Sequence, residues 1–420
     1  MVTEAVRLYG KKDLRLEQFD LPEPREGEIL VKIISDALCM SSYKAALQGA
    51  DHKRVPDGVE NDPIIIGHEF CGEIVRAGSK WAGEWNAGDK FAIQPAINYK
   101  GSLDAPGYSY PHLGGCATHA IVAEEFMECG CLLHYEGDAF FYGSLAEPMS
   151  CIIGAFNASY HTDAGSYEHR MGVVTGGAAA ILGGAGPMGQ GAIDYALHGP
   201  RQPRLLVVTD IDGERLNRSR SLYPPEQAAK IGVKLVYVNT ADEACAAEVL
   251  LKIAVSEGCG RGFDDVFVFA PVAQIVELGD RILGRDGCLN FFAGPTDQNF
   301  NARLNFYNVH YAATHVAGTS GGNTADMREA LKLMERAEID PAPMITHIGG
   351  LDAAAGATLR LPEIPGGKKL IYTQIKMPLI KINELSASGD QRKQTLGAIV
   401  LQNDGIWCAE AERYLLANFS

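Results

Sequence analysis

The stretch that most restricts what this chain can fold into is Gly184-Ala185-Gly186-Pro187-Met188-Gly189. It follows the apolar run 178–182 and precedes a helical pattern over 190–198. A strand that passes through G-x-G-x-x-G into a helix must bring backbone close to backbone. The first glycine makes the tight turn, the second lets a ligand approach the main chain, and the third lets the helix pack against the strand. The N–H groups that open the helix have no partner within it and attract an anion. A second apolar run, 205–209, ends at Asp210, about 20 residues beyond the last glycine, where a carboxylate accepts hydrogen bonds from ribose hydroxyls. The pattern predicts a dinucleotide site built from Gly184, Gly186, Pro187, Met188, Gly189 and Asp210. Asp210 would repel a 2′-phosphate, so the expected cofactor is NAD(H), with NADP(H) second. Arg215 either stacks on the adenine or is a solvated helix charge.

Strand–helix alternation continues through 235–238, 266–269 and 288–292, as in a parallel sheet covered on both faces. Residues 1 to about 155 read differently. Runs such as 29–34 and 91–93 are separated by Gly and Pro, which predicts a β-rich domain. A helix is expected over 325–336 and a return to the first domain at 370–372. The expected organisation is α/β: a catalytic domain of 1–155 and 323–375, a doubly wound cofactor domain of 156–322, and a C-terminal extension of 376–420. In the extension, Trp407, Tyr414 and Leu415 suggest a docked helix.

A net charge of −15 argues against a nucleic-acid or anionic-membrane partner. No apolar run reaches membrane-spanning length. Glu4, Arg7, Lys11 and Lys12 interrupt any leader core, so the cytoplasm is the expected compartment. Ten irregularly spaced cysteines do not make a disulfide framework. Cys129 and Cys131 have no second pair nearby and read as structural or inert.

Cys39, Gly67-His68-Glu69 and Ala146-Glu147-Pro148 offer a thiol, an imidazole and carboxylates, a donor set suited to zinc. Their separation is too wide for spacing to join them, and buried Cys and His are ordinarily packing residues. The segment Gly67-His68-Glu69-Phe70-Cys71-Gly72 resembles the GHE-x-x-G segment of zinc-dependent medium-chain alcohol and polyol dehydrogenases. Cys39 stands where that family has its first ligand, and Ala146-Glu147-Pro148 resembles the polyol-dehydrogenase form of the third. The resemblance covers about residues 1–375. It implies a GroES-like catalytic domain with the Rossmann domain inserted, and one catalytic zinc held by Cys39, His68 and Glu147, with Glu69 as the alternate. Residues 86–115 lack the four-cysteine lobe that binds a structural zinc in many relatives. After the first ligand, where relatives carry Gly-Ser/Thr-Asp, this chain has Met40-Ser41-Ser42. Ser41 keeps the proton-accepting hydroxyl, and Lys44 stands where the family often has a relay histidine. Lys44 passes a proton on, binds an anionic substrate, or is a solvated surface charge.

Within the family the chain is most similar to the L-sorbose 1-phosphate reductase group, through residues 364–372 and the tail around 403–407. That similarity implies reduction of sorbose 1-phosphate to glucitol 6-phosphate with NADH. Lys44, Lys53, Arg54, Lys368 and Lys369 are candidate phosphate partners. The partner is then a small sugar phosphate or polyol, with a homo-oligomer expected. An unphosphorylated polyol or secondary alcohol is the alternative substrate. A zinc-free quinone or enoyl reductase and a non-enzymatic nucleotide-binding protein on the same fold are readings of a different class.

Overall fold

In a computed structural model, residues 1–163, 165–241 and 245–419 are described. The chain divides into two compact units. The first comprises Met1–Pro148, Asn323–Glu335 and Ala342–Ser420, and the second Met149–Gly322 and Arg336–Pro341.

The second unit is built on six parallel strands: β1 (Ala178–Leu182), β2 (Leu205–Asp210), β3 (Lys234–Asn239), β4 (Phe263–Val268), β5 (Leu283–Phe291) and β6 (His315–Ala317). Their order across the sheet is β3-β2-β1-β4-β5-β6. This is the doubly wound arrangement, and its strand order reverses beside β1, where open α/β sheets bind ligands at the carboxyl ends of the strands. Residues of β1 and β2 are buried throughout, as the uninterrupted apolar runs require. Phe269 and Phe292, expected inside β4 and β5, fall just past their ends.

The first unit carries an eight-stranded sheet and a three-stranded one. At the centre of the larger sheet, Ile29–Ala37 runs antiparallel to Phe70–Ala77 on one side and to Lys368–Tyr372 on the other. The register pairs Asp36 with Phe70 and Ala37 with Leu370. Two backbone bonds extend it: Ala37 N–H donates to the Glu69 carbonyl and Leu38 N–H to the Lys369 carbonyl, both at 2.9 Å. Residues 38–39, 68–69 and 368–369 thus meet at one end of three neighbouring strands. That register joins segments hundreds of residues apart.

Residues 376–420 fold with the first unit. Helices Gln391–Gln402 and Ala409–Asn418 bring Trp407, Leu396, Val400 and Leu415 into one apolar cluster with Ala37, Phe141 and Tyr372. Trp407 Nε1 donates to the Tyr372 hydroxyl at 2.8 Å. Buried Glu412 accepts from Tyr372 Oη (2.9 Å) and from the N–H groups of Phe140 (2.6 Å) and Phe141 (2.9 Å). The physical reason is burial: a tryptophan and a carboxylate with no solvent contact must be packed and hydrogen-bonded by the domain they join.

Candidate metal centre and cofactor loop

Cys39 leaves strand Ile29–Ala37 and becomes the residue before helix Met40–Gln48, so its side chain is fixed where strand turns to helix. His68 and Glu69 immediately precede strand Phe70–Ala77. The ligand atoms of Cys39, His68 and Glu69 all lie within 4.8 Å of one another. Glu147, on helix Phe140–Ala158, is outside that set, although its charge acts on Cys39, Tyr108 and Lys368. The sequence placed Glu147 first and Glu69 as the alternate. Register holds Glu69 beside Cys39.

His68 is buried among Ser42, whose Oγ lies 3.2 Å from Nδ1, and Tyr108, whose hydroxyl is 3.1 Å from Nδ1 and 3.4 Å from Nε2. Burial, then the positive charges of Lys368 and Arg54, push its pKa down to about 3. The imidazole is therefore neutral near pH 7, the form that ligates metals. Burial and the charge of Glu69 push the Cys39 thiol up to about 12, opposed by Lys368. A divalent cation would reverse that balance, since a coordinating thiol is deprotonated outright.

Lys368 corrects an expectation. It is not an open phosphate cation: its Nζ donates to both oxygens of Glu69 at 2.5 Å, and it is buried. Burial alone would lower its pKa, but Glu69, Cys39 and Glu147 together raise it. Lys369 is buried too, with Nζ donating to the Gly367 carbonyl at 2.7 Å. Both lysines lie in a strand that is buried along its whole length. With Glu69, Glu147 and a Cys39 thiolate counted as negative and Lys368 as positive, one Zn²⁺ leaves the cluster neutral. The donor set fits a single zinc.

Ser41 hydrogen-bonds the Tyr108 hydroxyl, and Lys44, half-buried one turn along the helix, has its pKa lowered by burial against the pull of Cys39. The sequence missed Ser42, Tyr108 and the pairing of Lys368 with Glu69. No motif marks Tyr108, and the pairing follows only from register.

In the second unit, the loop after β1 leads into helix Pro187–His198, with Pro187 in its first turn and Gly186 as its N-cap. A Cβ at Gly189 would lie 2.0 Å from the Gly184 carbonyl oxygen, so only glycine lets the helix approach the strand this closely. A Cβ at Gly186 would meet nothing within 4 Å; that space is the one a pyrophosphate would enter. Asp210 ends β2. One carboxylate oxygen accepts from Ala185 N–H at 3.1 Å, and the other from Ile211 N–H at 2.8 Å and Asp212 N–H at 3.1 Å. Arg215 is exposed and pairs with Asp212 at 3.3 Å. The loop fits a dinucleotide.

Residues 25–130 match the model of the alcohol dehydrogenase GroES-like domain. The chain is 51% identical to the L-sorbose 1-phosphate reductase of Klebsiella pneumoniae, over 99% of this chain and 98% of that protein. It is 49% identical to the mannitol-1-phosphate 5-dehydrogenase of Aliivibrio fischeri, over 99% and 97%. The chain belongs to the zinc-dependent medium-chain dehydrogenase family. As a member, it is a nicotinamide-linked alcohol or polyol dehydrogenase. The fold agrees: 2R,3R-butanediol dehydrogenase of Bacillus subtilis superposes with a TM-score of 0.69 at 20% identity, over 88% of this chain and 99% of that one. Membership removes the zinc-free reductase and the non-enzymatic binder. No helix among the described residues is long and apolar enough to cross a membrane.

Proposed function

We propose that this dehydrogenase interconverts a ketose phosphate and its polyol phosphate, with L-sorbose 1-phosphate and D-glucitol 6-phosphate as the preferred pair and NAD(H) as cofactor. The full-length likeness to two enzymes named for sugar-phosphate substrates supports the substrate class. The observation that carries the chemistry is the convergence of Cys39, neutral His68 and Glu69 on one point. We assign these three as the ligands of one zinc per chain, with Glu147 alternating with Glu69. When bound, the zinc supplies Lewis acidity toward a carbonyl oxygen and the nicotinamide supplies the hydride.

The protein's part is positioning and proton movement. Lys368 holds the Glu69 carboxylate by both oxygens, and Tyr108 and Ser42 fix the ring of His68. Ser41 Oγ gives its proton to the developing alkoxide during reduction, and Lys44 is the nearby group that resupplies it. At the loop, open backbone at Gly186 takes the pyrophosphate and Asp210 the ribose hydroxyls. Three backbone donors already use part of the Asp210 carboxylate, and two oxygens leave capacity for a diol. Its negative charge, with Arg215 tied to Asp212, favours NAD over NADP.

A homo-oligomer is also proposed. β6 is a sheet edge, and Phe306, Tyr307, Tyr311 and Val316 on and before it are exposed apolar side chains. A cytoplasmic location suits ten free thiols. Kinetics on a panel of ketoses, polyols and their phosphates with both cofactors tests the substrate reading. Sorbose 1-phosphate should exceed sorbose by about a hundredfold in kcat/KM, the worth of two charge-assisted contacts. Equal efficiency on the two would make the enzyme a plain polyol dehydrogenase.

A further inference from the structure

The buried pairing of Lys368 leaves open which cations would face a phosphate. The turn after helix Met40–Gln48 supplies them. Arg54 sets its guanidinium over the ring of Tyr108, 5.5 Å from the centroid, while the hydroxyl of the same tyrosine touches His68 at 3.1 Å. His52 stacks on that ring, 5.6 Å between centroids and 11° from parallel. The turn is anchored: Ser109 Oγ donates to the Arg54 carbonyl at 2.7 Å, and Val55 N–H to the His52 carbonyl at 2.9 Å.

Burial, then the positive charges of Arg54, Lys53 and Lys44, pushes the His52 pKa down to about 4. The neighbouring acid, Asp51, is committed to Lys11 at 2.5 Å. Among the described residues neither Lys53 nor Arg54 ion-pairs with a carboxylate, in a chain of net charge −15. An uncompensated guanidinium on an anchored turn, one tyrosine side chain from His68, is placed to take a dianion carried by a short polyol.

We propose that Arg54, supported by Lys53 and braced on Tyr108, is the phosphate subsite that makes this enzyme select phosphomonoester substrates. The proposal rests on the reading that the substrate is phosphorylated. Arg54 offers two parallel N–H donors to two phosphate oxygens, and Lys53 adds a mobile charge from the exposed side of the turn. Lys368 and Lys369 take no part.

The test compares kcat/KM for sorbose 1-phosphate and sorbose in the wild-type enzyme and in Arg54→Gln, Arg54→Lys and Lys53→Gln, with zinc content and NADH binding measured on each. Inorganic phosphate serves as a competitive inhibitor. The wild-type preference for the phosphorylated substrate should fall roughly ten- to a hundredfold in Arg54→Gln. It should recover in part in Arg54→Lys and fall less in Lys53→Gln. Inhibition by phosphate should weaken in the same order, while zinc content and NADH binding hold. If the wild type shows no preference for the phosphate ester, the substrate reading itself fails. If it does, and the preference survives in Arg54→Gln and Lys53→Gln, only this assignment falls. Should Arg54→Gln not fold, Lys53→Gln and wild-type phosphate inhibition decide: no phosphate inhibition, or inhibition untouched by Lys53→Gln, overturns it.

Discussion

The Cys39–His68–Glu69 cluster of the first unit and the glycine loop of the second are made in opposite ways. The loop is backbone: its contacts come from consecutive residues, and glycine is needed because side chains would fill the space. The cluster is side chains, brought from 38–39, 68–69 and 368–369 by strand register, and each charge in it depends on the others. A backbone site tolerates loss of one side chain. A cluster of mutually compensating buried charges does not.

The largest effect should come from Cys39→Ala. Turnover should drop at least roughly a thousandfold, several kcal/mol of transition-state stabilisation. NADH binding, followed by fluorescence, should persist because the loop shares no residue with the cluster. Loss of both together would break the contrast.

Lys368→Met comes next. Removing the ammonium leaves the Glu69 carboxylate buried and unpaired, a cost of about 3–5 kcal/mol in the metal-free protein by urea denaturation. Added zinc should restore part of that stability. A neutral result without metal would mean that the charges of the cluster are independent.

The tail extends the same contrast to stability. Burial raises the Glu412 carboxyl to about 7, only partly offset by Tyr372 and two backbone N–H groups. A folded-state pKa above the unfolded one means that the native protein binds the extra proton between about pH 4.5 and 7. Stability from this group is therefore gained as pH falls through 7 and lost as it rises, up to about 3 kcal/mol across that window. Glu412→Gln should flatten this part of the stability–pH curve. An unchanged slope would contradict the assignment.

The smallest effect belongs to the loop. Asp210→Ala should narrow the preference for NADH over NADPH by about tenfold, one well-placed charged contact, in kcat/KM. A wild-type preference for NADPH would reverse the assignment.

How much of this was legible in the sequence follows the same division. Gly184 to Gly189 and Asp210 could be read directly, since turn, helix start and strand end are local. Cys39, His68 and Glu147, with Glu69 as the alternate, came only from resemblance, because nothing local ties residue 39 to residues 68–69 or 147. Lys368 was misread as an open cation, since its direction depends on which side of a strand faces the cluster. Trp407 did signal a docked helix. That the tail also buries Glu412 against Phe140 and Phe141 needed the tertiary fold.

The central claim is that one metal ion, held by Cys39, His68 and Glu69, switches on nicotinamide-linked reduction of a ketose phosphate. The most direct measurement is a zinc titration of chelator-stripped protein, with bound metal and sorbose 1-phosphate-dependent NADH oxidation followed in the same samples. Activity should rise in proportion to bound zinc and break at about one equivalent per chain, as a single open-position site requires. Full activity in the stripped protein, or a break at about two equivalents with none at one, would contradict it.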